Sequence, residues 1–103
     1  CLGWRREDGE FVWVSYATFE RESRALGREL QRLLPPGTHV GIVGHNCYEW
    51  FLADFACLWA GFPSVPLSEA WDSGIMEAVL HQADVAACCC TPAELPKVLG
   101  VAA

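Results

Sequence analysis

The stretch H-V-G-I-V-G-H-N-C-Y-E-W-F-L-A-D-F-A-C-L-W-A-G, residues 39–61, decides the fold of this chain. Its first six residues form a short apolar run with β-branched content, which predicts a buried strand and not a helix. The segment Cys47 to Ala60 is apolar nearly all round, carrying Trp50, Phe51, Leu52, Phe55, Leu58 and Trp59 against only Glu49 and Asp54. Such a helix is expected to be buried on most faces, with Trp50 at the centre of stability. Asn46 opens it in a pattern, Asn46-x-x-Glu49, that resembles a capping box. Gly61 is a natural stop.

The same grammar extends in both directions. Upstream, E-F-V-W-V at residues 10–14 predicts a strand. Ser15 can cap the helix that follows. Its apolar stripe is Tyr16, Phe19, Ser23, Leu26, Leu30, Leu33 and Leu34, and Pro35-Pro36-Gly37 ends it. Downstream, Pro63 to Leu67 contains two prolines and predicts an edge strand. A third helix is expected from Asp72-Ser73 to Ala83, a buried strand from Val85 to Cys90, and a further helix within Ala93 to Val101. Apolar strands alternating with helices predict an α/β fold with a mostly parallel sheet and helices on both faces.

The chain has 103 residues, enough for one small domain, and 52% of them are hydrophobic. A unit of this size buries only ~60–70% of its unfolded surface, so this much apolar material suggests part of something larger. The start at Cys1 reads as incomplete or processed. Residues 1–35 hold six arginines against six acids, and beyond them Lys97 stands alone against seven. No basic stripe with interleaved aromatics is present, which speaks against nucleic acid as a partner. The most apolar run, Trp50 to Phe62, is too short to span a bilayer.

Cys1, Cys47, Cys57, Cys88, Cys89 and Cys90 show no C-x-x-C pair and no zinc-like spacing. Alternation along a strand sends Cys89 away from Cys88 and Cys90, so this run is expected to bind no metal. Buried, reduced thiols fit an intracellular compartment, cytoplasmic or peripherally membrane-associated.

The candidate chemistry is sparse. The turn from Gly41 through Gly44 and His45 to Asn46 joins a strand to a helix, where phosphate loops sit. It is neither G-x-G-x-x-G nor followed by Gly-Lys-Ser/Thr, so a tight turn at Gly44 and a cap at Asn46 explain it. His45, Asp84 and a cysteine have no spacing that supports a triad. His39 and His81 fit surface or cap positions, and Glu49 and Asp54 fit solvated or capping roles. Trp4, Trp13, Trp50, Trp59 and Trp71 are expected in the core.

Four blocks resemble a known family. W-V-S-Y-A-T-F (13–19) is similar to the W-x-S/T-Y-x-E-x opening of acyl-CoA synthetases, with Thr18 in place of the frequent Glu. P-P-G-T-H-V-G-I-V-G-H-N-C-Y-E-W (35–50) resembles K-P-G-D-x-V-G-I-x-x-x-N-x-x-E-W, with Thr38 replacing Asp. A-D-F-A-C-L-W-A-G-F-P-S-V-P-L (53–67) and H-Q-A-D-V-A (81–86) are similar to later blocks of the same family. The flavour is that of long-chain fatty acyl-CoA synthetases, including the bubblegum type, within the adenylate-forming ligases.

The resemblance implies that residues 1–103 are a partial AMP-binding domain, its N-terminal subdomain only. It implies a complete enzyme that uses fatty acid, ATP, Mg²⁺ and CoA in a two-step ligation. No catalytic, cofactor-binding or metal residue carries over. The matched residues are scaffold, and Lys97 follows a proline in a segment that matches no family motif. The expectation is therefore a fragment that is inactive alone and completed by the remainder of the ligase domain. The alternatives are a sister adenylating enzyme, such as a peptide-synthetase adenylation domain or short-chain acyl ligase, and a stand-alone α/β interaction module.

Overall fold

The computed structural model describes residues 2–102, so Cys1 lies outside the described residues. Among the described residues, five strands and four α-helices follow in the order β1 (Leu2–Arg5), β2 (Phe11–Val14), α1 (Tyr16–Leu33), β3 (His39–Val43), α2 (Tyr48–Ala60), β4 (Ser64–Leu67), α3 (Ser73–Gln82), β5 (Val85–Cys90) and α4 (Leu95–Ala102). A short 3₁₀ turn, Pro92–Glu94, leads into α4. The parallel sheet has the order β4-β3-β5. One cluster packs Val43, Leu67 and Cys88 against Met76 of α3 and Val98 of α4. A second packs Val40 and Cys89 against Leu30 of α1 and Cys57 of α2. Helices thus cover both faces of one parallel sheet, as expected.

The N-terminal strand departs from the expected order. β2 does not join the parallel sheet but pairs antiparallel with β1, a strand not foreseen in the charged opening residues. Five residues, Arg6 to Glu10, join the two strands, and Gly9 at φ 89° lies in that turn. Leu2-Gly3-Trp4-Arg5 is too short and too mixed in character for periodicity to mark it as a strand.

Local signals were faithful at the helix ends. Ser15 caps α1 by accepting the Thr18 N–H at 3.1 Å. Asp72 caps α3 by accepting the Ile75 N–H at 2.9 Å. Gly61 ends α2 in the left-handed region at φ 81°, and the Phe62 N–H reaches back to the Cys57 carbonyl at 2.9 Å. The helix start at Asn46 is corrected. Cys47 is the N-cap of α2, and no side chain bonds its first turn.

The buried face of α1 is narrower than its stripe. Phe19, Ser23 and Gly27 are buried, four apart, while Tyr16 and Leu33 stay exposed. They meet Ala53, Ala56 and Cys57, the buried residues of α2. A Cβ at Gly27 would lie 2.9 Å from the Ala56 carbonyl oxygen, so the two backbones are nearly in contact. The Trp59 Nε1–H donates to Ser23 Oγ at 2.9 Å, and the Arg24 guanidinium lies 3.9 Å over the Trp59 ring.

Burial of α2 on most faces is therefore a second correction. Its sheet-side face is made of small residues, and Phe51 (40% exposed), Phe55 (37%), Leu58 (68%) and Trp59 (43%) look outward. Trp50 is half-buried, so it is not the centre of stability. Arg24 of α1 lies over the Trp59 ring and Phe19 packs edge-on against Phe55 with centroids 5.1 Å apart, which leaves Phe51 and Leu58 the more open part of this ridge.

Candidate functional site

The crevice that a parallel α/β sheet offers to ligands lies beyond the C-terminal ends of its strands, where successive connections diverge to opposite faces. Here that point falls between β3, which leads to α2, and β5, which leads to α4. A cavity of about 450 Å³ occupies it, lined by Ile42, Val43, His45, Cys47, Trp50 and Thr91 among others. The β3–α2 turn and the turn after β5 are pressed together at its floor. A Cβ at Gly44 would lie 2.5 Å from Thr91 Cγ2, so close approach is the reason for glycine there. The Thr91 N–H extends the ladder by donating to the Val43 carbonyl at 3.2 Å. Thr91 Oγ1 is buried with no hydrogen-bond partner. Nothing in a single sequence marks Thr91, because its role comes from a contact with a residue 47 positions earlier.

The cavity does not suit a triphosphate. Its charged or titratable lining residues are Glu49, His45 and the thiols, with no lysine or arginine. Glu49 sits in the first turn of α2 and already complements the positive end of that helix. Lys97 is engaged elsewhere. Its ammonium donates to the Glu69 and Trp71 carbonyls, both at 3.0 Å, and lies 3.3 Å from Glu94. Lys97 thus ties α4 to the loop after β4, a structural role. Among the described residues, no three His, Cys, Asp or Glu side chains converge. The residues present do not fit ATP with its Mg²⁺.

The other candidates are dispersed. His45 follows the C-terminal end of β3, whereas Asp84 precedes the N-terminal end of β5, so the parallel register keeps them a strand length apart. His39 Nδ1 donates to the Ala83 carbonyl at 2.7 Å and fastens the α3–β5 corner. His81 is exposed, 3.9 Å from Glu77. Asp54 accepts from Ser64 Oγ at 2.7 Å, and Glu49 faces the cavity, so the two acids do not act together. The tryptophans are not a core set. Trp4 stacks on Tyr48 with centroids 5.4 Å apart, Trp13 stacks on Phe11 at 5.7 Å, and both are exposed along with Trp59. Trp71 is half-buried against the cluster around Met76. The Tyr48 hydroxyl, bonded to Glu22, is pushed up to about 12, first by burial and then by that carboxylate.

The thiols follow strand alternation. Cys88 and Cys90 pack toward α3 and α4, and Cys89 toward α2. Burial pushes Cys57 up from about 9 to about 11, with Cys89 and Asp54 adding to it. Burial first, then Cys90 and Cys89, pushes Cys88 up to about 12. Cys89 is raised in the same way. A folded state that keeps a proton the unfolded chain releases is fully stable below the unfolded value and loses that stability as pH rises through the folded one. The urea midpoint should therefore fall between pH 9 and 11. Denaturation series at stepped pH check this, and Cys57→Ala should flatten the slope. At pH 8 the native Cys57 thiol should resist iodoacetamide, since only thiolates react.

A layered parallel α/β scaffold with short helix-joined strands is the class these observations define. The comparisons place it. The AMP-binding enzyme family matches residues 4–102, and the chain belongs to that family of adenylate-forming ligases. It is 33% identical over 89 residues to long chain acyl-CoA synthetase 1 of Arabidopsis thaliana, covering 82% of this chain and 14% of that protein. It is 31% identical over 88 residues to long-chain-fatty-acid–CoA ligase 6 of Mus musculus, covering 82% and 13%. The chain therefore spans about a seventh of the length of these relatives. Among solved structures, the fatty acyl-adenylate ligases from E. coli and L. pneumophila match with TM-score 0.80 and 26% identity, over 91% of this chain and 18% of theirs. The A domain of carboxylic acid reductase from Segniliparus rugosus matches in fold, with TM-score 0.85 at 19% identity, over 98% and 18%.

Proposed function

We propose that this chain is the N-terminal scaffold subdomain of a long-chain acyl-CoA synthetase and carries none of the catalytic groups itself. In the complete enzyme, a fatty acid and ATP would give an acyl-adenylate and pyrophosphate. The CoA thiol would then displace AMP to leave the thioester. The observation that supports the scaffold reading is the cavity at the end of β3 and β5, which offers apolar walls, Glu49 and no free cation. Stabilising a developing pyrophosphate charge needs positioned cations and donors. ATP, Mg²⁺ and CoA are therefore assigned to other parts of the ligase domain. The long-chain reading rests on the relatives, which are long-chain acyl-CoA synthetases by name at 31–33% identity. No described helix is long and apolar enough to cross a membrane.

The test has two arms. The isolated chain should give no fatty-acid-dependent ATP–pyrophosphate exchange above a buffer blank, and measurable exchange would overturn the scaffold reading. The product of the gene that contains this segment should convert a long-chain fatty acid, ATP and CoA to acyl-CoA, AMP and pyrophosphate. Exchange supported only by amino acids or short acids would favour a sister ligase.

A further inference from the structure

We draw no further inference here: the strongest candidate, the apolar cavity beyond the C-terminal ends of β3 and β5 with the unpartnered Thr91 hydroxyl beside it, carries nothing because the chain spans about a seventh of its relatives' length and nothing in the structure shows what fills or covers that cavity.

Discussion

Met76→Ala is expected to lower the thermal midpoint by more than about 10 °C, measured by circular dichroism at a fixed, low protein concentration. Met76 is fully buried and joins β3, β4, α3 and α4, packing with Val43, Leu67 and Val98. Truncating a buried methionine removes its transfer free energy and leaves a cavity, together about 2–5 kcal/mol. A domain of this size has roughly 5–15 kcal/mol in all, and each kcal/mol moves the midpoint by about 4–8 °C. Met76→Leu nearly conserves volume and should cost less than about 1.5 kcal/mol. Equal losses from the two substitutions would mean that the site is not the packed junction described here. Trp50→Ala, by contrast, should cost less than Met76→Ala, because Trp50 is half-buried at the rim of the cavity.

Gly27→Val should be about as damaging, for the opposite reason. The added Cβ would meet the Ala56 backbone oxygen at 2.9 Å, and Ala60 Cβ at 3.6 Å. A backbone oxygen inside a helix cannot step aside as a side chain can, so α1 must lift from α2. Overpacking of this kind costs about 1–3 kcal/mol, and a lift would also strain the Trp59–Ser23 hydrogen bond. Gly27→Ala sets a helix-propensity gain of about 1 kcal/mol against the same contact. Urea unfolding should rank wild type above or near Gly27→Ala, with Gly27→Val clearly lowest. A valine variant as stable as wild type would show that the α1–α2 seam is loose.

The sequence by itself determined what depends on near neighbours along the chain. The Ser15 and Asp72 caps, the left-handed stop at Gly61 and the opposite orientation of Cys89 to Cys88 and Cys90 all follow from dihedral preference, strand alternation or a side chain reaching three residues ahead. The edge position of β4 was legible for the same reason, since Pro66 cannot donate. Tertiary structure decided whatever needs a distant partner. It left Phe51 and Leu58 exposed on α2 because small residues, and not large ones, let α2 approach α1. It also set Gly44 against Thr91 and bound Lys97 to two carbonyls. Residue type limits what a side chain can bond or pack with, but only the folded chain brings that partner within reach.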